Sequence, residues 1–225
     1  MRVNIATFNV AGGRQPDCEA INRLCRRKQV NILGAQEVDV NTTRMPLDMP
    51  KRIAGADYQY EFAASMPLLG GAYGLALFAD QALTDSSVYR YAAHGDEPRI
   101  CQHAVYNQTL SLYHTHLSFE SEAIRRQQVA ALKQLIATDP LPAKVVLGDF
   151  NMDQSHAEWQ AFQPDWCLLN GDGGQWFETF SWRDPTMRVF AIDNILLSPA
   201  VHYHKRWVAD TILSDHQMLI GEIDY

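Results

Sequence analysis

Lys144-Val145-Val146-Leu147-Gly148-Asp149-Phe150-Asn151 is the stretch of this 225-residue chain from which the interpretation of the fold starts. Three consecutive aliphatic residues after a lysine predict a short buried strand. The glycine predicts a sharp turn, after which a carboxylate and a carboxamide project from the strand end. Asp149 can accept a proton from water or hold a metal ion, and Asn151 can donate to a phosphate oxygen. A turn stabilised by these side chains, without any chemistry, is the alternative.

The same construction recurs earlier in the chain. Residues 3–10 predict a strand that delivers Asn9 near its C-terminal end, and a helix begins at Pro16-Asp17 with Ala20, Ile21, Leu24 and Cys25 on its buried face. Residues 30–33 predict the next strand. It leads directly into Glu37, a carboxylate located where the apolar run ends. A helix between two such strands favours a mixed sheet with helices outside it.

The middle of the chain predicts antiparallel strands. Short β-type runs at 58–64, 74–79, 87–92, 100–106 and 109–116 are separated by turn residues, and Asn107-Gln108 is the expected turn of a hairpin. Residues 120–137 then predict a helix with one face formed by Ile124, Gln128, Ala131, Leu132 and Leu135. This hairpin delivers His116 to a strand end.

Beyond Asn151, residues 155–162 predict a short helix, and 179–182 with 188–197 predict a hairpin whose turn contains Asp184-Pro185. Asp193 lies within an apolar strand, where an acid is costly unless it has a partner. Asp215 and His216 precede a final strand at 217–223.

Composition favours one ordinary globular domain over residues 1–225, with 47% hydrophobic and 20% charged residues. The chain has no apolar run of about 18 residues, and its N-terminus enters a strand directly, so the expected location is cytoplasmic without a transmembrane segment. Four cysteines lack paired spacing, so we expect buried thiols rather than a zinc site or disulfides. The oligomeric state stays open.

The charge balance argues against a protein that grips long duplex DNA. Nineteen basic against 26 acidic residues give a formal net charge of −7, and only five of the bases are lysines. The run Arg26-Arg27-Lys28 fits a helix end, where cations interact favourably with the helix dipole, better than it fits a nucleic-acid patch.

Eight polar residues are predicted near strand ends. They are Asn9, Glu37, His116, Asp149, Asn151, Asp193, Asp215 and His216. Each alone has an ordinary structural interpretation, but together they predict a functional site. Oxygen donors without clustered cysteine or histidine favour Mg²⁺ or Mn²⁺ over zinc, and Glu37 is the best candidate ligand.

These residues lie in six motifs: Thr7-Phe8-Asn9-Val10, Gln36-Glu37-Val38-Asp39, Thr115-His116-Leu117, Gly148-Asp149-Phe150-Asn151, Ile192-Asp193-Asn194-Ile195 and Ser214-Asp215-His216. In order and spacing the set resembles the endonuclease/exonuclease/phosphatase superfamily over essentially the whole chain. The resemblance implies an α/β fold, a four-layer α/β/β/α sandwich with two packed mixed, largely antiparallel sheets. The site is then expected at one edge of the two sheets.

The resemblance also implies roles for these residues. Asn9 would help to hold the metal or its phosphate beside Glu37, and Asp215 would supply a further metal contact. His216 resembles the family's catalytic histidine, and Asp193 resembles the carboxylate that orients it.

The remaining implied roles concern the phosphoryl group. His116 and Asn151 would bind phosphoryl oxygens during an in-line attack by water, and Asp149 would orient or deprotonate that water. Either Asp149 or His216 can be the base.

Two departures narrow the substrate. Ala11 stands where repair-type apurinic endonucleases carry an acid, and Thr115-His116-Leu117 replaces their tyrosine-bearing segment, so abasic-site repair is disfavoured. Asp193-Asn194 differs from the Asp-Arg of inositol-phosphatase members, which makes inositol polyphosphates a weaker hypothesis for the substrate without excluding them.

The predicted function is therefore a divalent-metal-dependent hydrolase of phosphate esters, with a phosphodiesterase acting on a nucleic acid, a nucleotide or a small phosphorylated molecule as the first hypothesis. A phosphomonoesterase or a phospholipid/sphingomyelin-type phosphodiesterase is the alternative, and an inactive interaction module on the same fold is a third. The aromatic residues Trp176, Phe177, Phe180 and Trp182 are predicted either to stack on a substrate group or to fill the core.

Overall fold

Two six-stranded sheets form the centre of the protein in a computed structural model that describes residues 1–180 and 190–225. The strands are β1 (Arg2–Asn9), β2 (Ile32–Val40), β3 (Gln59–Leu68), β4 (Gly71–Ala79), β5 (Leu83–Arg90), β6 (Ile100–Tyr106), β7 (Leu110–His116), β8 (Lys144–Asp149), β9 (Cys167–Leu168), β10 (Asp193–Leu197), β11 (His202–Ala209) and β12 (Met218–Asp224). The first sheet has the order β11-β12-β1-β2-β4-β3 and the second β5-β6-β7-β8-β10-β9.

In the part of the chain that the structure describes, three α-helices cover the outer faces of the sheets. They are α1 (Cys18–Arg27), α2 (Met49–Ala54) and α3 (Glu122–Ala137). One apolar cluster joins α1 and α2 to the first sheet, a second lies between the sheets, and a third joins α3 to the second sheet. Three buried interfaces between four layers confirm the predicted α/β/β/α sandwich.

The period-two alternation of the central strands determines which side chains face the other sheet. In β8, Val145 and Leu147 lie in the cluster between the sheets, whereas Val146 lies under α3. Asp149 continues the inward-facing series. In β1, Ile5 is likewise inward and Phe8 lies under the helices.

The two strand-helix-strand units have the expected parallel pairing. Strand β1 pairs with β2, and β7 pairs with β8, both in parallel. The remaining pairings are antiparallel, including the β6–β7 hairpin. Its turn residues Asn107 and Gln108 both have positive φ, 48° and 62°, as such a tight turn requires. The predicted hairpin turn is confirmed.

Gly148 does not make the predicted sharp turn. It lies within β8 and pairs with both neighbouring strands, and β8 continues through Asp149. A Cβ atom at this position would lie 1.8 Å from the carbonyl oxygen of Thr115, so glycine is required for the close approach of β7 to β8.

Other local predictions need correction. The buried face of α3 consists of Arg125, Gln128, Val129, Leu132 and Ile136, which is rotated from the predicted face. The predicted helix at 155–162 is a short 3₁₀ helix, Ala157–Ala161, and neither α2 nor β11 was predicted. Phe180 and Phe190 pair as one antiparallel bridge, while Trp182 and the Asp184-Pro185 turn lie outside the described residues.

The predictions for the helix end and the cysteines agree with the structure. Helix α1 ends at Arg27 with Lys28 as its C-cap, so the basic run terminates the helix. Cys18, Cys25 and Cys101 are buried free thiols, and Cys167 is partly buried. None of the helices in the described ranges combines the length and apolar composition needed to cross a bilayer.

Candidate active site

The ends of the central strands bring most of the predicted residues to one edge of the sandwich. Asn9, His116 and Asp149 are the last residues of β1, β7 and β8, and Asp193 is the first residue of the antiparallel β10. His116, Asp149 and Asp193 are register partners across three adjacent strands. The inward alternation that buries aliphatic side chains deeper in the core therefore places these polar groups opposite Asn9.

Asp149 lies at the centre of the arrangement and is buried. Its Oδ2 accepts a hydrogen bond from Asn9 Nδ2 at 3.1 Å, across the gap between the two sheets. The same oxygen lies 3.5 Å from His116 Nε2 and 3.7 Å from His216 Nε2. Its Oδ1 accepts the backbone N–H of Asn151 at 2.9 Å. Both oxygens are therefore fixed by groups from several elements.

His216 is held between two carboxylates. Its Nδ1 donates to Asp193 Oδ2 at 2.8 Å, and its Nε2 faces Asp149. Burial lowers the pKa of His216, but the charges of Asp193 and Asp149 outweigh this effect and raise the pKa to about 9. Asp193, whose burial in an apolar strand is costly without a partner, thus has the predicted partner His216.

The other two titratable groups of the cluster shift in opposite directions. Burial and the nearby Asp193 carboxylate raise the pKa of Asp149 to about 7. Burial, with the charges of Arg99 and His216, holds the pKa of His116 well below its ordinary value, so this ring is neutral near pH 7.

Glu37 does not lie at a strand end, contrary to the sequence prediction. It lies inside β2 at a bulge, where the register with β4 shifts between Ala35 and Val38, and its φ is 57°. A bulge changes the direction of a side chain that would otherwise follow the alternation. The Glu37 Oε1 accepts a hydrogen bond from Asn9 Nδ2 at 2.9 Å. Sequence alternation carries no signal for such an inserted residue.

Gly12 is required beside this bulge. A Cβ atom on Gly12 would lie 2.4 Å from the carbonyl oxygen of Glu37. The loop after β1 therefore packs directly on the bulge, and Asn9 Oδ1 accepts the backbone N–H of Ala11 in the same loop. The loop and the bulge fix each other's position.

The residues around Glu37 suit a hard divalent cation. Burial raises the pKa of Glu37, and no arginine, lysine or histidine forms an ion pair with its carboxylate within the described ranges. A carboxylate without a cationic partner, next to the carboxylate of Asp149 and the carboxamide of Asn9, offers the oxygen ligands that Mg²⁺ and Mn²⁺ prefer.

A second group of potential ligands consists of Asp149, Asp193 and His216, whose ligand atoms lie within 4.8 Å of one another. Both nitrogens of His216 already face carboxylates, and a protonated imidazole cannot bind a metal. This trio is better described as a histidine positioned by two acids.

The structure places Asp215 at the rim of the site. Its Oδ2 lies 3.0 Å from Arg14 Nη2, so its charge is partly compensated. Ser214 Oγ donates to the carbonyl oxygen of Asn9 and accepts the backbone N–H of His216. Ser214 belongs to the last motif but was not among the eight predicted site residues. Its two hydrogen bonds connect this motif to the first one.

Asn151, another of the predicted residues, lies beside the end of β7. Its side chain donates from Nδ2 to the carbonyl oxygen of Leu117 at 2.9 Å. Arg99 was likewise not among the eight residues predicted from the sequence. It precedes β6, is only 4% exposed, and lies 3.0 Å from Glu97. The sequence signal that could have identified Arg99 is its place directly before the apolar strand β6, whose start lies at the same edge as His116.

Two of the predicted aromatic residues pack in the core, whereas Phe180 lies at the candidate site. The ring of Trp176 packs against Trp159 with centroids 6.1 Å apart, and Phe177 packs against the cluster between the sheets. Phe180 instead lies at the site, with its ring centroid 4.7 Å from that of His216.

A model of the Endonuclease/Exonuclease/phosphatase family matches residues 6–216. The chain belongs to this family. Its members are hydrolases of phosphoric esters, which agrees with the oxygen-rich, acid-and-histidine character of the site. A search of curated protein sequences finds no match.

Solved structures share the fold over the full chain. An endonuclease/exonuclease/phosphatase from Bacteroides vulgatus superposes with a TM-score of 0.80 at 18% identity, covering 100% of this chain and 99% of that one. A mannosyl-6-phosphatase from Bacteroides thetaiotaomicron gives 0.76 at 18% identity, with coverages of 99% and 100%. TDP2 from D. rerio, complexed with a single-strand DNA product, gives 0.76 at 14% identity, with coverages of 100% and 99%. At these identities the likeness concerns the fold.

Proposed function

We propose that the protein is a divalent-metal-dependent phosphodiesterase that hydrolyses small or single-stranded phosphodiesters by direct attack of water. The observation that carries the proposal is the continuous row of side chains from Asp193 through His216, Asp149 and Asn9 to Glu37, in which successive members lie 2.8 to 3.7 Å apart. The row combines an oxygen ligand, a base and a cationic imidazole across both sheets.

The metal site of this proposal consists of Glu37, with Asn9 beside it and Asp215 at the rim. A bound Mg²⁺ or Mn²⁺ would withdraw charge from a phosphoryl oxygen and help to orient the ester. Asn9 donates to the carboxylates of both Glu37 and Asp149, so it fixes the distance between the metal ligand and the proposed base.

Asp149 is assigned as the base that orients and deprotonates the attacking water. One of its oxygens accepts the backbone N–H of Asn151, and the other accepts Asn9 Nδ2 and lies 3.5 and 3.7 Å from the rings of His116 and His216. His216, placed between two carboxylates, is stabilised as an imidazolium and donates a hydrogen bond from Nε2 to the phosphate. The neutral His116 and the amide of Asn151 complete the contacts to phosphoryl oxygens.

The charge of the site favours a diester over a monoester. Four carboxylates, those of Glu37, Asp149, Asp193 and Asp215, converge on a site whose nearby cations, among the described residues, are His216, Arg14 and Arg99, the last of which is paired with Glu97. A diester carries one negative charge and a monoester close to two at neutral pH, so these carboxylates repel the monoester more strongly, and a bound divalent cation would offset only part of their charge. The fold is compatible with both, since similar structures include a phosphatase and a complex with a DNA product.

A substrate panel tests this proposal. Turnover of bis-p-nitrophenyl phosphate, p-nitrophenyl phosphate and p-nitrophenyl phosphorylcholine is compared at equal Mg²⁺ concentration. We expect the diesters to be hydrolysed with the higher kcat/KM. Exclusive hydrolysis of the monoester would replace the phosphodiesterase by a phosphatase, and no turnover of any ester would leave the inactive-module hypothesis.

A further inference from the structure

A recess of about 400 Å³ opens beside the proposed catalytic residues on the side of the second sheet. Asn151, Phe180, Phe190 and Ile192 line the recess, together with Phe119, which lies in the middle of the loop between β7 and α3. Because Phe180 contacts the ring of His216, the recess begins where the phosphate is proposed to react. Any substituent of that phosphate on this side enters the recess.

Three phenylalanine rings, those of Phe119, Phe180 and Phe190, line the recess. Phe119 is 62% exposed, although a phenylalanine ring is normally buried. The rings of Phe180 and Phe190 are stacked, with an interplanar angle of 20° and centroids 6.3 Å apart. Phe180 and Phe190 are half-buried, so the exposed ring of Phe119 is the surface on which a planar ligand group can stack.

Each acid around the recess already has a partner in the protein. Glu120 accepts two backbone N–H groups, and Glu122 lies 2.6 Å from Arg126 in an ion pair. Asp153 accepts a hydrogen bond from the ring of His156 at 2.8 Å. Within the described ranges, each carboxylate that lines the recess thus has a hydrogen-bond or ion-pair partner, which leaves fewer of their oxygens free to select a cationic head group.

We propose that this aromatic recess binds the nucleobase of a nucleotide diester whose phosphate reacts at Asp149 and His216. The proposal rests on the phosphodiesterase function and specifies its substrate as a nucleotide or a short single strand. Stacking accepts any base, so the recess selects for a base rather than for a particular sequence.

The test compares two diesters with the same leaving group, thymidine 5′-(p-nitrophenyl phosphate) and methyl p-nitrophenyl phosphate. We expect wild type to prefer the nucleotide in kcat/KM, and Phe119→Ala to reduce that preference about tenfold or more. Phe119→Trp should restore it. Tyr60→Ala, which removes another exposed aromatic ring outside the recess, should leave the preference unchanged.

Failure of this inference is distinguishable from failure of the proposed function. Equal preferences in wild type and Phe119→Ala, with both esters hydrolysed, would overturn the recess assignment and leave the phosphodiesterase intact. A preference for hexyl over thymidine p-nitrophenyl phosphate would replace the nucleobase by an alkyl group and also overturn it. If neither ester is hydrolysed, calorimetric binding of thymidine 5′-monophosphate decides, with weaker binding to Phe119→Ala expected and equal binding contradicting the assignment.

Discussion

Each proposed catalytic residue has a role that follows from the groups that fix it. Asp149 is held by hydrogen bonds from both sheets, and His216 is held by Asp193. Removing the reactive group of Asp149 or His216 is therefore expected to abolish chemistry while the backbone framework remains.

Asp149→Asn and His216→Gln should each lower kcat on a diester by at least about a hundredfold, the scale of a lost, positioned acid or base. Turnover is measured together with circular dichroism and thermal unfolding, to show that the variants fold. Asp165→Asn, which changes an exposed acid away from the site, is the matched control. Wild-type rates in folded His216→Gln would remove this histidine from the mechanism.

Asp193→Ala should lose activity and also stability, because His216 would keep a buried ring nitrogen without its partner. The expected decrease in the free energy of unfolding is about 1–3 kcal/mol, measured by urea denaturation. Asp193→Asn retains an acceptor for His216 Nδ1 and should be the more stable of the two variants. Equal stability of wild type and Asp193→Ala would show that this pair has no structural role.

At the scale of whole elements, the order of strands and helices follows closely from sequence, because alternation and apolar runs reflect burial directly. Strands β6 to β8 and helix α1 begin and end within about two residues of their predicted bounds. The bulge at Glu37 was not predictable, since it depends on packing against Gly12 and β4. The rotation of the buried face of α3 was also missed, because its buried Arg125 is held by hydrogen bonds that the periodicity of apolar residues does not reveal.

The candidate site was only partly predictable for the same reason. The inward series of β8 points Asp149 between the sheets, and the apolar strand around Asp193 requires a partner for it. The contribution of Phe119, by contrast, depends on the packing of a loop before α3. The partnership of Asp215 with Arg14 depends on tertiary proximity between chain segments about two hundred residues apart.

A histidine between the sheets gives a prediction about the stability of these elements. His114 is fully buried, its Nε2 lies 2.6 Å from Gln36 Nε2, and burial lowers its pKa to about 3. In the unfolded chain its pKa is near 6.5, so as the pH falls below 6.5 the unfolded state takes up a proton that the folded state does not. This histidine therefore reduces stability progressively between pH 6.5 and 3.

The loss between pH 7 and pH 5 amounts to about 2 kcal/mol of unfolding free energy for this one group. Urea denaturation of wild type and His114→Gln at both pH values measures it. The variant should lose about 2 kcal/mol less than wild type over this interval. An identical pH dependence in the two proteins would show that His114 is not held neutral in the fold.

At the scale of the whole molecule, charge limits the partners. The formal net charge is −7, and nine arginines in the described ranges lie within 4 Å of an acidic side chain. They are Arg2, Arg14, Arg23, Arg26, Arg44, Arg52, Arg99, Arg125 and Arg126. A cleft of about 760 Å³ beside α1 does contain Arg23, Arg26 and Arg27, but none of the proposed catalytic residues line it.

We expect duplex DNA to bind no more tightly than about 10⁻⁴ to 10⁻⁶ M at physiological salt, the range of non-specific electrostatic binding. Fluorescence anisotropy with a labelled duplex measures this affinity, and a labelled single strand of the same length serves as the comparison. Efficient nicking of plasmid at physiological salt and low enzyme concentration would contradict the expectation and make an endonuclease the better assignment.

The most direct test of the central claim is the metal dependence of diester hydrolysis by this site. Turnover of bis-p-nitrophenyl phosphate is measured in excess chelator and again after Mg²⁺ or Mn²⁺ is restored, with Asp149→Asn carried through the same steps to exclude a contaminating enzyme. The predicted result is loss of turnover in chelator, recovery with either cation, and no recovery in the variant. Full turnover by wild type in excess chelator would contradict the account.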